Sequence, residues 1–283
     1  MVTIDNGRLH VEISERGAEL QAIRLDGKDY LWSGDPAWWN GRAPIMFPIC
    51  GGLKNDEYTL NGKTYSIPKH GFVRKKDWQV ESAEAEKAVF LFTANDETRA
   101  VYPFEFELRA IYTLEGTSLK VEFAVTNKGG ETMYYSVGAH EAYACPEGIE
   151  AYDLIFEKPE DFRPHELDGN IVLHKTSEIL ANTDTLPLKH EYFSIDALVF
   201  TDLRSRAVTL RNRADGRSVH VEFPGFDYLF VWQKCGAPYI CIEPWRGVPD
   251  FEDADGVLAH KRGIRTLEAG KTEVSTHVIT PRA

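Results

Sequence analysis

Asn6-Gly7, Asp26-Gly27 and Asn61-Gly62 each separate short runs in which apolar and polar residues alternate. An Asn-Gly or Asp-Gly pair supplies the two positive-φ residues that a two-residue hairpin turn requires. Around the first turn Leu9, Val11 and Ile13 alternate with polar neighbours, the period of a half-buried strand. The same pattern predicts strands near 78–82, 88–93, 104–114, 118–126 and 132–138. In the second half it predicts strands at 152–156, 197–203, 207–211, 218–223, 228–234, 239–243 and 272–279. Helical periodicity is nearly absent, with short helical turns expected only near 95–100, 177–181 and 250–258. The hairpins recur without a fixed period, which disfavours a propeller. No linker or low-complexity run divides the chain. The expectation is therefore all-β: residues 1–283 as a single domain, a large antiparallel β-sandwich.

A chain of 283 residues can bury a core without staples. Its 12 Tyr, 15 Phe and 6 Trp suit both strands and sugar binding. The net charge of −12 argues against nucleic acid and anionic membrane surfaces as partners. The four cysteines, Cys50, Cys145, Cys235 and Cys241, form no regular framework and read as reduced thiols. The N-terminus lacks the charged and apolar regions of a signal peptide, and no apolar run reaches the roughly 20 residues of a membrane span. The expected location is cytoplasmic.

Three segments depart from simple alternation. The first joins Arg42 in GRAPIMFPICGG to PKHGFVR, with His70 between Lys69 and Gly71, and Arg74 three residues further on. Gly71 is expected to let the backbone approach a ligand closely. The bland alternative is a loop histidine among solvated arginines. The second segment is YYSVGAHEAYACP, in which a strand ends at Gly138 and presents His140. His140-Glu141 begins like the zinc-binding H-E-x-x-H helix, but Ala144 holds the fifth position, so the zinc reading fails. The third is YICIEPWRGVPD. Alternation puts Tyr239, Cys241 and Glu243 on one face and Ile240 and Ile242 on the other. Burial of Glu243 beside Trp245 would raise its pKa toward that of a general base working at neutral pH. Alternatively, Glu243 is a structural partner of Arg246 or another arginine.

Taken in order, R-x-x-x-x-F-P, P-K-H-G-F-x-R, S-V-G-A-H, C-I-E-P-W-x-G-x-P-D and the closing K-x-G-I-x-x-L resemble the aldose 1-epimerase (galactose mutarotase-like) family, specifically its short bacterial branch. The resemblance runs over nearly the whole chain. It implies a β-supersandwich whose groove binds a monosaccharide, with Glu243 as general base and His140 as general acid. By the same resemblance His70 binds substrate, and Arg42 and Arg74 hydrogen-bond sugar hydroxyls. Better-known members also place an aspartate on the hydroxyls. Asp196 and Asp202 are the candidates, and Asp196 is taken with Trp245 as substrate-binding.

The implied reaction interconverts α and β anomers of an aldohexose by ring opening and closure. One Glu and one His, with ordinary pKa values of about 4.3 and 6.5, suffice for the proton transfers. No cofactor and no metal are expected. A free aldose is favoured over a sugar phosphate, although the basic run from Lys69 to Lys76 would suit a phosphate if it faced the groove. The sequence is silent on oligomeric state. Two other readings remain: a glycoside hydrolase, which needs a second carboxylate such as Glu141 or Asp250, and a non-catalytic carbohydrate-binding module.

Overall fold

The computed structural model describes residues 1–283. About 51% of the residues are in strands and 8% in helices, and neighbouring strands pair antiparallel in every sheet. One sheet has nine strands, in the order Leu180–Pro187, Tyr152–Phe162, Ala207–Asn212, Ser218–Glu222, Thr272–Arg282, Ser118–Asn127, Phe106–Glu115, Lys87–Thr93 and Gln79–Ala83. The expected alternation is clear at its centre. Along Phe106–Glu115 every second residue from Phe106 to Leu114 is buried.

The other large sheet has seven strands. Tyr239–Arg246 pairs on one edge with two short strands, Val137–Gly138 and Glu141–Ala144, and on the other with Tyr228–Trp232. Leu198–Phe200, His165–Asp168 and Ile171–Thr176 complete it. Val121 and Phe123 of the larger sheet share one apolar core with Val231, Ile240 and Ile242 of the smaller, and this core runs from Ile4 to Ile279. The two sheets thus face each other across a largely apolar core, as sandwich packing requires. The N-terminal hairpins form a four-stranded sheet, Val2–Asp5, Leu9–Ile13, Leu20–Leu25 and Lys28–Asp29, and add Ile4, Leu9, Val11 and Ile13 to the same core.

Of the three expected helical turns one is a helix. Asp96–Val101 starts at a capping box: Asn95 Oδ1 accepts from the Thr98 N–H, and the Asn95 N–H donates to Thr98 Oγ1. The expectation at 177–181 is wrong. Leu180 opens the strand Leu180–Pro187, which lies at the sheet edge and is mostly exposed, so it carries no apolar alternation to betray it. The expectation at 250–258 is also wrong, apart from a 3-10 turn that begins at Leu258. Isolated bridges from Phe251 to Val172 and from Val257 to Thr59 tie this segment down instead.

Candidate active site

The site forms where the ladder between two strands is interrupted. Gly138 pairs with Trp245 and Glu141 with Ile242. Continuing that register from both ends sets Ala139 opposite Pro244 and His140 opposite Glu243. Pro244 has no N–H to donate, so regular pairing stops there, although the Ala139 N–H still reaches the Pro244 carbonyl at 3.1 Å. The gap leaves His140 and Glu243 as cross-strand neighbours on one face. His140 Nε2 lies 3.4 Å from Glu243 Oε2.

On the far side of Glu243 the neighbouring strand contributes Phe230, directly opposite it, and Trp232 opposite Cys241. Phe230 stacks on Trp245 with ring centres 3.7 Å apart. Gly138 is required here, because a Cβ would come within 2.8 Å of both Trp245 and Met46. Trp39 closes the other side, its ring 5.2 Å from that of His140. The result is a groove of about 530 Å³ with His70, His140, Glu243 and Trp245 among its lining residues.

His70 enters from a loop clamped to the same floor. It has a positive φ of 67°, unusual for a non-glycine residue, and is held there from both ends. Its N–H donates to the Gly51 carbonyl at 2.8 Å, and the Gly51 N–H donates to His70 Nδ1 at 3.1 Å. An accepting Nδ1 means that the neutral ring carries its proton on Nε2, leaving that N–H as a donor. The ring meets both His140 (5.8 Å) and Trp245 (5.6 Å) edge-on. Gly71 serves a different purpose from the one expected. A Cβ there would strike the Phe47 carbonyl, so the close approach is to the chain's own backbone rather than to a ligand.

Burial dominates the electrostatics. It raises Glu243 well above the ordinary carboxylate value; Asp196 and Glu141 push the same way and Lys69 opposes them. Burial also lowers His140 to about 3, helped by the cations Arg74 and Lys69. His70 is held well below 6.5 by burial, then by His140, Lys69 and Arg74. Both members of the His140–Glu243 pair are therefore driven toward their neutral forms.

Lys69, Arg74 and Asp196 also line the groove. None of Lys69, Arg74 and Lys234, a third cation on its wall, forms an ion pair with a carboxylate. Asp202 is exposed and does not line the groove. Arg42 does not reach the groove either. It lines a separate cavity of about 600 Å³, and its guanidinium donates to the carbonyls of Ser33 and Gln21 and to Gln21 Oε1. The expectation that it contacts sugar is corrected accordingly. Arg246 is not the partner of Glu243. Alternation turns it to the opposite face, where it binds Glu273 and Ser275.

Neither alternative carboxylate is free to act beside Glu243. Glu141 points into the core and pairs with His277 at 2.9 Å, while Asp250 is locked to Lys261 at 2.8 Å. Asp250 lines a smaller cavity of about 270 Å³, in which His174 pairs with Asp253 and His260 with Asp255 while Arg262 lies over the Phe251 ring. Sequence reasoning missed Trp39, Phe230, Trp232 and Asn170 as groove residues. The adjacent tryptophans 38 and 39 in a turn-rich stretch were the one available signal.

A family model described as Aldose 1-epimerase matches residues 1–257. Protein LacX of Lactococcus lactis subsp. lactis is 36% identical over 294 residues, covering 99% of this chain and 98% of its own. A galactose mutarotase related enzyme from Lactobacillus acidophilus superposes with a TM-score of 0.94 at 36% identity, over 99% of this chain and 97% of that one. A galactose mutarotase-like protein from Lactobacillus casei gives 0.94 at 30% identity over 100% of both chains. Galactose 1-epimerase from Lactobacillus acidophilus shares the fold, with a TM-score of 0.74 at 15% identity over 99% of this chain and 93% of that one. No helix here is long and apolar enough to cross a membrane. The chain belongs to the aldose 1-epimerase family, and it is an enzyme of the isomerase class with a sugar as its substrate.

Proposed function

We propose that this enzyme interconverts the α and β anomers of a free aldohexose, with Glu243 and His140 exchanging protons with the sugar. The observation that carries this reading is the 3.4 Å approach of His140 Nε2 to Glu243 Oε2 on the floor of an open groove. The buried pair retains one proton between them, because burial opposes charge on each. Shifting that proton from Glu243 to His140 creates a carboxylate base and an imidazolium acid. Glu243 then takes the proton of the C1 hydroxyl while His140 protonates the ring oxygen. The C1–O5 bond breaks, the aldehyde turns about C1–C2, and closure on the other face reverses both transfers. Positioned proton transfer of this kind contributes about 10²–10⁴-fold each.

His70 donates its Nε2–H to a sugar oxygen, Trp245 supplies an apolar floor, and Asp196 and Arg74 contact hydroxyls. A hydrolase would need a second carboxylate at the reacting bond; Glu141 and Asp250 are paired away from the groove, and Asp196, the other carboxylate on its wall, is assigned here to the sugar hydroxyls. A second reading, in which the substrate is a sugar phosphate, is favoured by Lys69, Arg74 and Lys234 bordering the groove without carboxylate partners.

NMR saturation transfer between anomeric protons, over a panel of aldoses and their 6-phosphates, tests both readings. Accelerated exchange for a free hexose supports the first, and acceleration confined to 6-phosphates replaces it with the second. Saturable binding with no acceleration would leave only a binding module.

A further inference from the structure

Beneath the acid–base pair on the groove floor lies a third donor, fully buried. Cys241 lies two residues before Glu243 on the same face of the strand, so its sulfur points to the same side of the sheet. One donor atom each from His140, Cys241 and Glu243 lies within 4.8 Å of the other two. We infer that these three side chains form a site for a thiophilic divalent cation of the Zn²⁺ or Cd²⁺ class, which blocks the groove while bound.

Three features support the assignment. The first is spacing. With zinc–nitrogen and zinc–oxygen bonds of about 2.0–2.2 Å, two ligands of a tetrahedral ion stand roughly 3.4 Å apart. His140 Nε2 and Glu243 Oε2 are already 3.4 Å apart. The sulfur needs to close by at most about 1.2 Å to complete the third corner.

The second is the donor set. Thiolate, imidazole and carboxylate together suit borderline and soft ions, whereas Mg²⁺ and Ca²⁺ demand oxygen. The Cys241 thiol is fully buried and makes no hydrogen bond, so no existing partner competes for it. One thiolate and one carboxylate also neutralise a divalent ion, which a buried site requires. The third feature is access. His140 and Glu243 line the groove while Cys241 lies buried behind them, so an ion enters from the groove side and keeps its fourth position there for water or a sugar oxygen.

Binding exchanges the Cys241 S–H bond for a sulfur–metal bond and displaces the proton held by the His140–Glu243 pair, so both protons leave to solvent. It also occupies the lone pairs of Glu243 and His140. Inhibition therefore follows if these two carry the proton transfers proposed above, whereas the binding itself does not depend on that reading.

The test is titration of the full-length protein with cadmium chloride, followed by calorimetry and by the ultraviolet cadmium–thiolate absorption. The expected result is one equivalent bound with a thiolate band, and no binding of Mg²⁺. C241S and C241A should abolish the band and weaken binding by at least about tenfold. C235S, which removes the exposed thiol, should change neither. A band that survives loss of Cys241, a band that vanishes in C235S, or no cadmium binding at all overturns the site. On a sugar the enzyme turns over, Zn²⁺ should raise the apparent KM and a chelator should restore it. If no sugar is turned over, the cadmium band still decides the metal site by itself.

Discussion

His140 and Glu243 are cross-strand neighbours, 3.4 Å apart across the gap that Pro244 opens in the ladder. Joint action in the proposed proton transfers predicts a particular mutational pattern. Glu243→Gln keeps the shape but cannot take a proton, and should lower kcat about 10²–10⁴-fold with little change in KM. His140→Asn should do the same, and the double variant should fall little further because the two act as a unit. Anomer exchange by NMR measures all three. Near wild-type kcat in a folded Glu243→Gln variant would sink the assignment.

Under the proposed mechanism the same pair sets the pH dependence. Burial lowers His140 to about 3 and raises Glu243 above the ordinary carboxylate value, so the singly protonated pair spans the interval between them. Acidification through pH 6.5, where a free imidazole would gain a proton, should therefore leave kcat/KM unchanged. The acid limb should appear only on approach to pH 3, and the alkaline limb as Glu243 ionises. An acid limb centred near 6.5 would show that His140 titrates as a solvated imidazole.

Arg42 and Arg74 should separate cleanly. Arg42→Ala removes a guanidinium that bridges Ser33 and Gln21, and should cost about 1–3 kcal/mol of stability in urea titration while KM stays near wild type. Arg74→Ala should raise KM, since that side chain lines the groove. A large KM effect from Arg42→Ala with unchanged stability would contradict the placement of Arg42 outside the site.

Glu141 and His277 tie the two large sheets together in the buried core, 2.9 Å apart and almost wholly buried. His277→Phe alone strands the Glu141 carboxylate and should cost about 3–5 kcal/mol. Adding Glu141→Leu should recover most of that loss, because a matched apolar pair needs no partner. Equal stability of the single and double variants would mean that the carboxylate finds another partner or stays hydrated.

Local chemistry determined the strands and turns. Period-two alternation over 106–114 and the Asp26-Gly27 and Asn61-Gly62 pairs, in which both residues take a positive φ, specify hairpins whatever lies elsewhere, because side-chain direction and turn geometry are set within a few residues. At Asn6-Gly7 only the glycine takes a positive φ, and the hairpin forms with a different turn. By the same alternation the sequence placed Cys241 and Glu243 on one face, and its motif order pointed to the family. The edge strand Leu180–Pro187 escaped notice because a strand exposed on both faces has no apolar signature.

Only the tertiary structure decided which distant residues share the groove. His140 meets Glu243 through the register between two strands far apart in sequence, and Trp39 and the strand carrying Phe230 and Trp232 complete the walls from two further places. Arg42 shows the converse: adjacent in motif to the groove segments, it is drawn away by backbone carbonyls that nothing in its own neighbourhood announces. A partner brought near by long-range strand pairing leaves no mark on the local sequence pattern, so register and packing alone assemble the site.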